Sequence, residues 1–261
     1  MFKQEQAFQS YLPFFTLLKK EILRFIFVGV QTIITPIITA SLYLFIFGLS
    51  LGGRIELHPD YTYIQFVVPG LILMGIVNNS FANVSSSIFF SRYIGNIVDL
   101  LVTPLTPSQM IMAYTLAAML RGLLVGVCVL GISLCFTQLP WTHAFLAFTM
   151  AAMASFLFSQ LGIIAAIYSN SFDQLSMYTN FLILPLIYLG GLFYPISQLP
   201  PIWSVISHGN PIFYMIDGFR QAIIGHGDIA LGLDFLVTGV IAAVLFIWAA
   251  TLIRKGHKLR L

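Results

Sequence analysis

Residues 122–172 read GLLVGVCVLGISLCFTQLPWTHAFLAFTMAAMASFLFSQLGIIAAIYSNSF, without a single Asp, Glu, Lys or Arg between Arg121 and Asp173. A membrane-spanning α-helix needs about 20 predominantly apolar residues, so this stretch is long enough for two passes. Gln138-Leu139-Pro140-Trp141 supplies the turn chemistry that divides it. Outward from this stretch, charge is also missing from 25–53, 61–91, 100–120, 174–216 and 235–253. Only 8% of the 261 residues are charged and 59% are apolar, against roughly 25% charged in a soluble domain. So few charges cannot coat a soluble fold of this length. The expectation is an all-α membrane protein with six transmembrane helices in one domain covering 1–261.

The spans are expected at about 25–48, 63–84, 107–136, 142–168, 175–194 and 235–253, and no cleavable leader is read before the first. With six passes both termini share a side. That side holds Lys3, Lys19, Lys20, Arg24, Arg92, Arg254, Lys255, Lys258 and Arg260, while the other holds Arg54 and Arg220. The positive-inside bias therefore makes both termini cytoplasmic. Phe14, Phe15, Leu18, Ile22, Phe25 and Ile26 recur at helical spacing among Lys19, Lys20, Glu21 and Arg24. This pattern fits an N-terminal amphipathic interface helix over 14–24, or a first span that begins early with snorkelling lysines.

Three regions depart from plain lipid-facing helix. In 91–101, Ile94, Ile97, Val98 and Leu101 form one apolar face, and Arg92, Asn96 and Asp99 supply polar positions. A short cytoplasmic helix of this kind either docks into a groove on a partner or rests on the membrane as a connector. The segment 195–225 is broken by prolines yet largely apolar, which suits either re-entrant helices between spans five and six or an external cap on the helix ends. The spans also carry polar groups: Thr32, Thr35 and Thr39 on one face of span one, and Asn79 and Asn83 in span two. Such groups join helices or line a pathway. Arg121 is the one charge deep in a span, roughly 21 Å past Pro107 along the helix, and has either a structural or a functional role.

No catalytic constellation emerges. The five histidines, His58, His143, His208, His226 and His257, lack metal-ligand spacing, so no metal site is expected. Cys128 and Cys135 lie two helical turns apart, too far for a disulfide. No Gly-Lys pair exists for a Walker A loop, and no basic tract suggests nucleic acid.

The run Leu184-Pro185-Leu186-Ile187-Tyr188-Leu189-Gly190-Gly191-Leu192-Phe193-Tyr194-Pro195-Ile196, followed by Leu199-Pro200, Asn210-Pro211 and Asp217-Gly218-Phe219-Arg220, resembles the signature of ABC-2 type transporter permeases. Ile97-Val98-Asp99-Leu100-Leu101-Val102-Thr103-Pro104 is similar to that family's loop after span two, with Val98-Asp99 where Glu-Glu or Glu-Gln is usual. The resemblance implies the membrane subunit of an exporter in a bacterial inner membrane. It also implies a second copy of the chain and a separate cytoplasmic ATPase that holds ATP and Mg. On this likeness Arg92, Ile94, Ile97, Val98, Asp99 and Leu101 would dock the ATPase, and 195–225 would close the outer end. Spans one, two and five would border the route, with Thr32, Thr35, Thr39, Asn79, Asn83, Arg121, Tyr188, Phe193 and Tyr194 as pathway residues. The cargo expected is amphipathic, lipid-linked or sugar-bearing. The rival reading is a stand-alone ion-coupled secondary carrier, which would want more ionisable groups in its spans than Arg121.

Overall fold

A computed structural model describes residues 2–50, 52, 55, 58–97 and 102–256, with side chains from residue 12 onward except Leu49. The described residues are almost entirely helical and contain no strand, only an isolated bridge between His58 and Tyr61. Five helical stretches are long and apolar enough to cross a membrane: 29–48, 63–93, 107–133, 144–168 and 231–255.

Helix α1 (Phe2–Phe27) passes through a break at Val28 into α2 (Gly29–Tyr43), and the ladder then loosens into a π-helical segment over Leu44–Ser50. The amphipathic start thus extends through Phe27, and its buried stripe is Leu17, Glu21 and Phe25, a four-residue repeat with a carboxylate at its centre. Helix α3 (Tyr63–Tyr93) starts on a capping box in which the Thr62 hydroxyl accepts from Gln65 N–H and the Gln65 side chain accepts from Thr62 N–H. Helix α4 (Pro107–Ser133) repeats the device with Thr106 and Gln109, with Pro107 at the first helical position. Helix α5 (Ala144–Tyr168) follows the loop at 138–143. Where 175–194 is expected as a span, α6 (Phe172–Met177), a π-helical segment over 178–183 and α7 (Leu184–Leu189) form one helical run, which ends at Gly190-Gly191. Gly191 has φ +79°, the left-handed conformation that glycine adopts without strain.

Helix α3 lies at the centre, packed on α4 and α5 and buried over most of its length. Two glycines permit the approach. A Cβ at Gly162 on α5 would sit 2.8 Å from the Phe81 carbonyl, and one at Gly122 on α4 would collide with the Ser80 hydroxyl. Close backbones held by small residues are how helices associate where lipid offers no hydrophobic drive. Beyond this core, α10 (Leu231–Lys255) packs on α5, α2 packs on α4, and α1 also lies against α4. At the other end of the bundle, α8 (Pro201–His208) presents Ile202, Trp203 and Val205 outward. The next helix, α9 (Pro211–Ile224), is buried against α3, α5 and α10.

Candidate functional site

A groove of about 220 Å³ runs between α2 and α3, lined by Thr35, Pro36, Thr39 and Tyr43 on one wall and Met74, Asn78 and Asn79 on the other. Thr35 and Thr39 are exposed because they share a helical face with Gln31 that no other described residue covers. At one end Tyr43 leaves the groove and meets a cluster of rings. Its hydroxyl lies 3.0 Å from that of Tyr188, the Phe47 and Phe193 rings stack at 4.4 Å, and the Tyr43 and Phe193 rings lie 5.4 Å apart. Tyr194 donates to the Tyr188 carbonyl and Tyr63 to the Phe193 carbonyl, which fixes the turn bearing these rings. The π-helical segments at 44–50 and 178–183 flank this cluster in sequence. Such local departures from the i→i+4 ladder concentrate at functional sites.

Six of the expected pathway residues therefore gather around one groove: Thr35, Thr39 and Asn79 in its walls, Tyr188 and Phe193 at the aromatic end, and Tyr194 bracing them. Thr32 is buried and outside the lining. Asn83 and Arg121 belong to a second arrangement, a polar junction of α1, α3 and α4.

In that junction the Glu21 carboxylate, 1% exposed, accepts from Ser87 Oγ at 2.7 Å and from Arg24 Nε at 3.0 Å. Arg24 turns its other nitrogens to α3, donating to the Asn83 carbonyl at 2.6 Å, to Asn83 Oδ1 at 3.0 Å and to Ser86 Oγ at 3.4 Å. Arg121 on α4 reaches the same Asn83 Oδ1 at 3.4 Å, and its Nε has no hydrogen-bond partner among the described residues. Burying a carboxylate is tolerable only with such pairing. Sequence reading placed Glu21 with the solvated charges of α1. Its position four residues after Leu17 and four before Phe25 was the available signal.

The residues expected to dock a partner separate in the structure. Ser91–Tyr93 complete α3, and Gly95 (φ +85°) ends the helical path. Arg92 spends its guanidinium on the carbonyls of Ala166 (2.7 Å), Ile167 (2.8 Å) and Ser169 (3.3 Å), capping the C-terminal end of α5. Ile97 is buried, whereas Tyr93, Ile94 and Val102 are exposed. Val98, Asp99 and Leu101 lie outside the described residues.

Around the buried helix α9 the charges are also internal. Arg220 donates to the carbonyls of Gly191 (2.5 Å) and Phe66 (3.2 Å), with its guanidinium carbon 3.7 Å from the centre of the Phe66 ring. The Asp217 carboxylate accepts the N–H groups of Asp228 and Ile229. Burial pushes the Asp217 carboxyl above its usual range, and those N–H groups and Arg220 oppose the rise. Between the two, Gly218 allows α9 to approach its neighbours, since a Cβ there would meet Met150 Cε at 2.6 Å and Asp234 Cβ at 2.8 Å.

The family model for ABC-2 type transporters matches residues 13–224, a range that takes in the junction, the groove and α9. The chain is 41% identical over 244 residues to the inner membrane transport permease YadH of Escherichia coli (strain K12), covering 92% of this chain and 94% of that protein. It is 23% identical over 196 residues to nodulation protein J of Sinorhizobium fredii (strain NBRC 101917 / NGR234), covering 74% and 75%. Identity to nodulation protein J of Neorhizobium galegae is 25% over 198 residues, covering 75% and 76%.

Proposed function

The chain belongs to the ABC-2 type transporter family, a membrane-spanning transporter subunit, and from that premise we propose that it is the permease half of an ATP-driven exporter in a bacterial inner membrane. The groove between α2 and α3 carries this reading. It offers hydroxyl and amide groups along its walls and aromatic rings at one end, a combination suited to an amphipathic, lipid-linked or sugar-bearing molecule. A second copy of the chain would cover the exposed Gln31, Thr35 and Thr39 stripe, since uncovered polar groups are costly in hydrocarbon. The route would then lie between two copies.

Energy would come from a cytoplasmic ATP-binding-cassette ATPase that holds ATP and Mg. The surfaces offered to it are α1 and the exposed Tyr93, Ile94 and Val102, with Val98, Asp99 and Leu101 beside them in sequence. Helix α1 reaches from that surface to the junction, where Arg24 and Glu21 grip α3 and Asn83 links both to Arg121 on α4. Displacement of α1 by the closing ATPases would move α3 and α4 together and so change the width of the groove. The bias arises because the docked surfaces bind the open and closed ATPases unequally. In this scheme 172–189 crosses the membrane as the remaining pass, both termini are cytoplasmic, and α8 and α9 enter the membrane from outside to close the route.

The buried Glu21 favours the ion-coupled alternative, because a carrier needs such a group. Its pairing with Arg24 and Ser87 makes it a fixed element rather than an exchanging one. Purification from native membranes decides between the readings. Stoichiometric recovery of an ATP-binding-cassette ATPase, and transport by the reconstituted pair only with ATP, are expected. Transport by the chain alone, driven by an ion gradient, would overturn the proposal.

A further inference from the structure

Two loops at the end of the bundle that holds α9 bring together three metal-ligating side chains. His58 and Asp60 belong to the turn His58-Pro59-Asp60-Tyr61, closed by the bridge between its first and last residues. A proline at the second position pre-sets such a turn. His226 follows Gly225, whose φ of +82° ends α9 in the left-handed conformation and turns the chain back toward this loop.

We propose that His58, Asp60 and His226 form a binding site for a borderline divalent transition-metal ion of the zinc class. The Asp60 Oδ2 atom lies 3.4 Å from His58 Nδ1 and 3.6 Å from His226 Nε2, and all three ligating atoms lie within 4.8 Å of one another. Donors bound to zinc at 2.0–2.2 Å in a tetrahedron are about 3.3–3.6 Å apart. Two of the three edges therefore already have the required length, and a small rotation of the half-buried His226 ring closes the third. His58 Nδ1 accepts the Asp60 N–H at 3.3 Å, so it is the unprotonated ring nitrogen, and a bound ion would take its lone pair in place of that long contact. The rings are held in place by stacking: His58 on Tyr61 at 5.1 Å and 3°, His58 against His226 at 4.8 Å, and His226 against Tyr61 at 5.4 Å. Two imidazoles and a carboxylate suit zinc, copper(II) or nickel(II) over magnesium or calcium. The fourth position faces solvent and takes a water or a ligand from the medium. When bound, the ion ties the loop before α3 to the corner between α9 and α10.

The test is zinc titration of the full-length chain, purified in detergent without a histidine tag, stripped with EDTA and read by competition with a chromogenic chelator. One zinc per chain is expected, with affinity weakened about tenfold or more in H58A and in H226A, since even outer-shell changes cost metal sites that much. No stoichiometric zinc in the unaltered chain, or variants that bind zinc as tightly as the unaltered chain, would overturn the site. A second measurement needs no variant. Zinc should protect His58 and His226, but not the exposed His208, from diethyl pyrocarbonate, as located by mass spectrometry. Equal labelling of all three with and without zinc rejects the proposal.

Discussion

Arg24 on α1 holds Asn83 on α3 twice, at the backbone carbonyl (2.6 Å) and at the side-chain oxygen (3.0 Å), while its Nε keeps Glu21 paired. This places an interface helix and the central helix of the bundle in one mechanical unit. Replacing Arg24 by Met should destabilise the fold by about 3 kcal/mol, the lower end for breaking a buried pair, because Arg24 itself is a third exposed. The double variant E21Q/R24M removes both charges and should recover more than half of the loss. Thermal unfolding of the purified chain measures this, and a double variant no more stable than R24M would show that the pairing is incidental.

Arg121 is expected to behave differently. Its contact with Asn83 is long, at 3.4 Å, and its Nε has no partner among the described residues. Arg121→Met should leave the purified protein folded, with a stability change under about 1 kcal/mol, while uncoupling ATP hydrolysis from transport in the reconstituted complex. Arg121→Lys keeps the charge and should retain part of the coupling. Failure of R121M to fold would assign the residue a structural role.

Groove filling separates passage from folding. Thr39→Leu adds bulk at an exposed groove position without entering the packed core. Transport should fall at least about tenfold, while the thermal midpoint stays near that of the parent chain, since exposed substitutions cost little. Unchanged transport would remove the α2–α3 groove from the route.

At the other end, Gly218→Ala forces a methyl group to within 3 Å of Met150 and Asp234. The expected cost is about 1–3 kcal/mol, as for an overpacked core. Arg220→Lys keeps the charge but not the fork that reaches both Gly191 and Phe66, so one carbonyl is left without its donor. A loss of about 1–3 kcal/mol is expected, visible as faster tryptic cleavage of the loops around α9. Resistance equal to the parent would contradict the bonding seen here.

Some elements could be read locally because their causes are local. Thr62 and Thr106, each followed three residues later by Gln, begin α3 and α4 where capping chemistry dictates, and the charge-free windows mark the stretches able to cross a membrane. Thr35, Thr39 and Asn79 were identifiable by polarity alone in an apolar context. Arg92 reads locally only as a basic residue in a loop between spans, and its carbonyl partners lie on a helix far away in sequence.

The amino-acid sequence by itself determined the class of molecule, an all-helical membrane protein, because hydropathy and helical period are sums over short windows, and its motifs at 184–220 carry the resemblance to the ABC-2 type transporter family. Only the tertiary structure decided which polar groups meet. The burial of Glu21 under Arg24, the meeting of Tyr43 with Tyr188 and the approach of His226 to His58 depend on helix rotation, depth and close glycine contacts. Those are set by packing among helices distant in sequence, and no local window contains them.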